Sequence, residues 1–254
     1  METIHIVTAS NDCYSKPLAV MLNSLLENKV TKNKLNIYII NSNISEQNKL
    51  KLTNSMKKFK QKIKFLKVDP LIYAGFMTRG YLTMETYYRI SIPELLNKDI
   101  DKVIYLDSDL IVKKDITSLW NINVDKYYLA AVTTPAGNTR YKDLSIPIES
   151  NYFNAGVLLI NLKRWRENNV SEKIIQFINN NASKIKFCSQ DPLNAILHDK
   201  WLQLDPRWNY LAPYRRDVED PYIIHYNGEG KPWNHNHRFK GEYLKYLKTT
   251  IWDD

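Results

Sequence analysis

Lys102-Val103-Ile104-Tyr105-Leu106-Asp107-Ser108-Asp109-Leu110-Ile111-Val112 is the stretch that decides the fold. Apolar residues bracket two carboxylates held one residue apart. A run of this length, rich in Val and Ile, reads as a buried strand of a parallel sheet. Burying two acids there is costly unless something cationic compensates them. For paired, ionised carboxylates the usual compensation is a hard divalent cation, Mg²⁺ or Mn²⁺, bound through oxygen. Open α/β sheets bind ligands outside the carboxyl ends of their strands, where such a metal can neutralise phosphates. An Asp-x-Asp also serves as a helix N-cap or a turn, with Asp accepting backbone N–H bonds. The tripeptide therefore needs support from the rest of the chain.

Upstream, Thr3 to Ala9 reads as a strand, and Pro17 sits near the start of a helix, where its missing N–H costs little. Leu18, Leu22 and Leu25 recur at helical spacing. Leu35 to Ile40 reads as a second strand, Leu52, Met56 and Phe59 mark a second helix, and Ile63 to Val68 a third strand. This β-α-β-α-β order argues for a parallel, Rossmann-like sheet with right-handed crossovers. Thr83 to Leu96 reads as helical, with Pro93 late in it or just past it. Downstream, Leu129 to Thr133 reads as a strand and Phe153 to Leu162 as a second buried run. Ser171 is placed to cap a helix with the face Ile174, Phe177 and Ile178. From about Pro206 the chain is rich in Pro, Trp, Tyr, Asn and His and reads as loops and short elements. No repeat or flexible linker interrupts the 254 residues, so one domain is expected.

Composition narrows the class. Hydrophobic residues make up 44% and charged residues 25%, ordinary for a globular protein. The net charge of +9 suits anionic ligands or surfaces, but the lysines are scattered, so a solvated surface accounts for most of it. Cys13 and Cys188 build neither a disulfide framework nor a zinc site, and reduced thiols in the cytoplasm are expected. The first ten residues read as a strand rather than a signal peptide, and no segment is apolar enough to span a bilayer. The seven glycines fall in neither G-x-G-x-x-G nor G-x-x-x-x-G-K-[ST], and G-x-S-x-G is absent. Redox use of a dinucleotide, P-loop phosphoryl transfer and α/β-hydrolase chemistry are all poorly supported.

Three further clusters carry chemistry. His225 leaves the apolar pair Ile223-Ile224 and offers a neutral ring nitrogen to a metal. It is followed by Gly228 and Gly230, which let backbone N–H groups approach an anion, and by Lys231. A core His before a Gly-rich turn looks the same, but beside a strand carrying two acids the metal-plus-diphosphate reading is coherent. Asn154-Ala155-Gly156 opens the second buried run, where small residues suit close approach of a sugar or mark a β-bulge. In Ser189-Gln190-Asp191-Pro192, Asp191 reads as a helix N-cap with Pro192 at the first helical position, and Gln190 lies at a helix N-terminus. His235-Asn236-His237 looks like a metal pair, but its setting in a polar tail loop argues for solvent exposure.

Together these segments resemble the family 8 glycosyltransferases, the retaining GT-A group that includes bacterial galactosyl- and glucosyltransferases and glycogenin. The resemblance runs over almost the whole chain. It is carried by Ala9-Ser10-Asn11-Asp12 with Tyr14; Tyr87, Tyr88 and Arg89; Tyr105 to Asp109; Phe153 to Gly156 with Asn161; Gln190-Asp191 with Leu193 and Asn194; and His225-Tyr226 with Gly228, Lys231 and Trp233. It implies an α/β GT-A fold, a Rossmann-like, mixed but mostly parallel sheet flanked by helices. The nucleotide-binding half would span about 1–112 and the acceptor-side half about 113–254. It further implies a UDP-sugar-dependent hexosyltransferase in which Asp107, Asp109 and His225 hold Mn²⁺, with Mg²⁺ as the alternative. Gly228 and Lys231 would meet the diphosphate, with Ser108 also at the donor. Ala9, Asn11 and Tyr14 would surround uracil. Arg89, Asn154, Gly156, Ser189 and Gln190 would face the donor sugar, with Gln190 and Asp109 assigned to catalysis.

The chain departs from the family pattern where Asn11, Thr134 and Ser189 replace Asp, and where Cys13 replaces Asn. Losing carboxylates at Thr134 and Ser189 leaves glucose, galactose and N-acetylglucosamine open as the donor hexose. The acceptor would be a hydroxyl on a glycan, glycolipid or glycoprotein. Relatives often carry a longer basic, aromatic C-terminal extension, whereas this chain ends soon after Trp252. Lys240, Lys245 and Lys248 allow at most peripheral contact with the inner membrane face. Two other readings compete. A metal-dependent sugar nucleotidyltransferase should have a Gly-rich loop after the first strand, and Ala9 to Ser15 has none. A basic nucleic-acid-binding module predicts strongly salt-dependent oligonucleotide binding and leaves the two acids unexplained.

Overall fold

The computed structural model describes residues 2–41, 43–135, 139–212 and 218–252. The N-terminal portion alternates strand and helix: β1 (Ile4–Ser10), α1 (Ser15–Glu27), β2 (Leu35–Asn41), α2 (Glu46–Met56) and β3 (Ile63–Lys67). After α3 (Ile92–Leu95) come β4 (Lys102–Leu106), β5 (Leu110–Val112), α4 (Thr117–Trp120), β6 (Leu129–Thr133), α5 (Tyr141–Leu144) and β7 (Phe153–Asn161). The remainder contributes α6 (Leu162–Glu167), α7 (Val170–Asn180), α8 (Gln190–Leu197), β8 (Trp201–Gln203), β9 (Tyr210–Leu211), β10 (Ile223–His225) and α9 (Lys240–Leu247).

A seven-stranded sheet in the order β3-β2-β1-β4-β7-β6-β8 forms the centre. All pairings are parallel except those that β7 makes with β4 and β6. The mixed, mostly parallel α/β architecture is therefore as expected. Both faces are covered, which is why the strands read as nearly continuous apolar runs. Ile6, Ile39, Ile104 and Leu106 face α1 and α2. Val7, Ile40, Val103 and Tyr105 face the opposite layer, with Ile174 and Ile178 of α7. A small sheet, β5-β10-β9, packs on α1 and α9 through Val20, Ile111, Ile224 and Tyr246. No helix among the described residues is long and apolar enough to cross a membrane.

Four local expectations are corrected. The run Lys102 to Val112 is two strands, not one. β4 ends at Leu106, and β5 leaves the main sheet to pair antiparallel with β10. The two acids occupy the crossing between sheets, where Asp107 N–H bonds Gly156 O at 2.9 Å and Tyr226 N–H bonds Asp109 O at 3.1 Å. The segment expected to be helical from Thr83 is a 3-10 stretch, Met84–Ser91, followed by one α-turn. Pro93 falls in the first turn of α3, where a missing donor is tolerated. Ser171 does not cap α7: the cap position is Asn169, at positive φ, and Ser171 Oγ donates to Ile90 O at 2.7 Å. Asp191 is likewise no cap. It lies inside α8, fully buried, paired to Arg140 at 3.0 Å and accepting the Lys186 and Phe187 N–H groups.

Asp115 shows what one nearly buried carboxylate does for the fold. It accepts the N–H groups of Val30 and Thr31, each at 2.8 Å, and of Thr117 at 2.8 Å, tying the end of α1 to the start of α4. Burial works against its charge, but the bonds from Thr117, Thr31 and Val30 prevail and hold its pKa at about 2, below the usual 3.8. The native state therefore binds its proton less readily than the unfolded chain. The associated stability, on the order of 2 kcal/mol, is fully present above pH 4 and is lost as pH falls toward 2. Asp115→Asn should remove most of that increment near neutrality and flatten this part of the urea-midpoint-versus-pH curve; an unchanged acid limb would show that Asp115 does not contribute it.

Candidate active site

At the carboxyl ends of β1 and β4 lies a cleft of about 980 Å³ including its open mouth, within the size range of small-molecule sites. Ala9 lines it from the end of β1, Asn11 and Tyr14 from the β1–α1 turn, and Arg89 from the 3-10 segment. Asp107, Ser108 and Asp109 enter from the sheet crossing. Asn154 and Gly156 come from β7, Ser189 and Gln190 from the start of α8, and His225, Gly228 and Lys231 from β10 and its following turn. The structure thus brings together the residues assigned to the cation, the donor and catalysis, while Gly230 is not part of the lining. It sets the tail pair apart: His235 is exposed, whereas His237 is half-buried, its ring edge-on to Tyr226 at 4.9 Å. The reading of the pair as solvent-exposed holds for His235 only.

Each acid uses one oxygen for a cationic side chain and turns the other toward His225. Asp107 Oδ1 accepts from Arg89 Nη2 at 2.9 Å and from the Tyr105 hydroxyl at 2.8 Å. Its Oδ2 lies 3.9 Å from His225 Nε2. Asp109 Oδ2 accepts from Lys231 Nζ, while its Oδ1 is 3.5 Å from the same ring nitrogen. One ligand atom from each of the three residues can be chosen so that all lie within 4.8 Å of one another. Two carboxylates and an imidazole are a donor set suited to Mn²⁺ or Mg²⁺, and their convergence fits a divalent cation. Burial opposes the charge on Asp109, but Lys231 outweighs it and holds the carboxyl well below its usual range. Arg89 is buried as well. Burial alone would lower its pKa, yet Asp107 and Tyr105 raise it.

Gly156 makes this convergence possible. A Cβ there would sit 2.3 Å from His225 Cε1 and 2.8 Å from Asp107 Oδ2. The β6–β7 register slips between the Ala130–Leu159 and Val132–Asn154 pairs, so Gly156 lies in the irregular part of the ladder. Nearby, Gly228 takes φ +87°, a conformation that side chains other than glycine's rarely adopt. Gly230 does not share it.

At the other end of the cleft, Asn11 Nδ2 bonds Glu85 Oε2 at 2.9 Å, and its Oδ1 accepts the Tyr14 N–H. A carboxylate at position 11 would repel Glu85. Tyr14 packs edge-on against Trp233, and burial followed by Asp109 and Asp107 pushes its phenol up. Ser108 Oγ donates to Ala9 O at 2.9 Å and so turns away from the acids. Ser189 Oγ donates to Thr86 O. Gln190 Oε1 accepts from Asn154 Nδ2 at 3.0 Å and Ala155 N at 3.1 Å.

Sequence reasoning gave no site role to Tyr105, Glu85 or Asn209. Tyr105 carried a signal: two residues before Asp107, it shares a face with it at strand spacing. Asn209, which bonds His225 Nδ1 at 2.9 Å, sits in an irregular aromatic stretch with no periodicity to mark it.

The glycosyl transferase family 8 model matches residues 5–237. General stress protein A of Bacillus subtilis is 36% identical over 99% of this chain and 96% of its own length. A putative glycosyltransferase of Haemophilus influenzae is 34% identical over 92% and 74%. Among solved structures, the galactosyltransferase LgtC in complex with donor and acceptor sugar analogues superposes with a TM-score of 0.88 at 25% identity, covering 98% of this chain and 96% of that one.

Gly156→Ala, by overpacking His225, should cost about 1–3 kcal/mol, which a thermal melt would read as a fall of roughly 2–10 °C. An unchanged melting temperature would show that the ring moves aside freely. With the family match spanning nearly its whole length, this chain belongs to glycosyl transferase family 8.

Proposed function

We propose that this protein is a retaining hexosyltransferase. It moves glucose, galactose or N-acetylglucosamine from a UDP-sugar to a hydroxyl of a glycan, glycolipid or glycoprotein, with Mn²⁺ or, alternatively, Mg²⁺. The observation that carries this reading is the convergence of Asp107, Asp109 and His225 in a cleft within the size range of small-molecule sites. Membership of the family supports the class of reaction. The bound cation would supply charge neutralisation for the departing diphosphate.

The chain's own residues do the rest. Ala9, Asn11 and Tyr14 form the wall for the base, and residues on both sides of position 112 are needed, since His225 and Lys231 join the two acids. Lys231 Nζ, now shared by Asp109 and Tyr226 O, lies next to the place where the phosphate charge grows. Its ammonium stabilises the leaving group in a site shielded from bulk water. Among the described residues the cleft is lined by no carboxylate besides the two acids and Glu85, which Asn11 holds at the base end, so the acceptor hydroxyl attacks from the leaving-group face. The bond from the anomeric carbon to the phosphate oxygen breaks as the bond to the acceptor oxygen forms, and the acceptor proton passes to the departing phosphate. Gln190, its carbonyl held by Asn154 and Ala155, stabilises the positive charge developing on the sugar ring.

A panel of UDP-sugars with Mn²⁺, scored for UDP release without acceptor, should show slow hydrolysis of one donor or a small set. Asp109→Asn should cut that release by roughly 100-fold or more while the protein stays folded. Wild-type turnover in this variant, or full activity in chelator, would overturn the metal assignment.

Ser189 tests donor choice. Its hydroxyl is turned to the Thr86 carbonyl, which would repel a carboxylate and direct it into the cleft. Ser189→Asp should therefore narrow the range of donors hydrolysed; an identical donor profile would separate Ser189 from sugar selection.

A further inference from the structure

We infer that Asn209 is a positioning residue that keeps the His225 proton on Nδ1, so that the Nε2 lone pair faces the two acids. This rests on the reading of Asp107, Asp109 and His225 as a cation site.

The argument starts from groups whose hydrogen-bonding sense is fixed. A backbone N–H can only donate. Gly156 N–H donates to the Asn154 side-chain oxygen at 2.9 Å, so that oxygen is an acceptor and its amide orientation is settled. Ala155 N–H donates to Gln190 Oε1, which settles Gln190 in the same way and lets it accept from Asn154 Nδ2. Both anchors give Asn154 the same orientation.

Asn209 is fixed in turn. It meets the Asn154 oxygen at 2.8 Å, and only its NH₂ group can donate there. Its own oxygen then faces His225 Nδ1 at 2.9 Å. An amide oxygen only accepts, so Nδ1 must carry the proton. In the neutral ring Nε2 is then bare, and it is Nε2 that lies 3.5 Å and 3.9 Å from the Asp109 and Asp107 oxygens. Asn209 is fully buried, so water does not replace its bond. A metal-ligating His usually donates its other N–H to such a partner, and loss of the partner typically weakens metal binding 10–100-fold. The same string of amides ends on Gln190, so one set of hydrogen bonds orients both the imidazole and the group assigned to the sugar.

Two-bond ¹H–¹⁵N spectra of the protein without added metal, at a pH where the ring is neutral, report which nitrogen bears the proton. The His225 signals can be assigned by comparison with a His225→Gln variant. Wild type should show His225 protonated at Nδ1; protonation at Nε2 overturns the inference without any variant. Asn209→Leu should move the proton to Nε2 and weaken Mn²⁺ binding roughly 10–100-fold, followed from the resonance of free Mn²⁺ with no nucleotide present. Asn209→Asp keeps an acceptor at Nδ1 but turns its other oxygen on that of Asn154, so it should retain the tautomer and bind Mn²⁺ more weakly than wild type but more tightly than Asn209→Leu. Equal weakening in both folded variants would show that Asn209 merely fills space. If wild type shows the Nδ1 tautomer yet binds no divalent cation, the cation-site reading fails while the tautomer assignment stands.

Discussion

Three hydrogen-bond acceptors face one another at the crossing between two sheets, and the rest of the cleft is arranged around that conflict. Two carboxylate oxygens and an imidazole nitrogen would repel if left to themselves. The fold holds them close by tethering the far side of each group: Arg89 and Tyr105 on Asp107, Lys231 on Asp109, Asn209 on His225. It also clears the space between them by omitting a Cβ at Gly156. Holding like groups together in a partly water-excluded place is expensive, and such arrangements mark functional sites.

The crossing explains why the acids sit where they do. Had Lys102 to Val112 formed one strand, Asp107 and Asp109 would share one face of it, as residues two apart must. Because β4 stops at Leu106 and β5 joins β10, the acids instead lie in a short bridge. β10 ends on His225 itself, so the pairing that captures β5 also brings the imidazole to the two acids. Backbone register, rather than side-chain attraction, sets the distance between groups that are more than a hundred residues apart in sequence.

Much of this was legible in the sequence, and the remainder was not for identifiable reasons. Strands β1 and β2 and helix α1 announce themselves because both faces of those strands are buried and the leucines of α1 repeat at helical spacing. The motif residues could be named because chemistry restricts which side chains can serve. The break after Leu106 could not be read, since Leu110 to Val112 is as apolar as the strand before it, and hydropathy does not distinguish which sheet receives a strand. Asp191 misled because Asp before Pro has the local signature of a helix start, whereas a distant Arg140 decides its place. Asn209 gave no signal at all. Its role depends on the orientation of amides in β7 and α8, a relation that exists only once the chain has folded.

Charge accounting at the acid end of the cleft connects the fold to the ligand. Asp107 is matched by Arg89 and Asp109 by Lys231, so without a ligand this end is close to neutral. A divalent cation alone would leave it with two positive charges in a partly buried place, at a substantial desolvation cost. The diphosphate of a nucleotide-sugar carries two negative charges and restores the balance, so cation and diphosphate should each strengthen binding of the other. Arg89 is held in place, because three of its five N–H groups bond Asp107 and the carbonyls of Ala155 and Thr86. Lys231 would take part in this exchange. With a cation against Asp109, the ammonium would no longer have to neutralise that acid and would be free to turn to phosphate oxygens bound beside it.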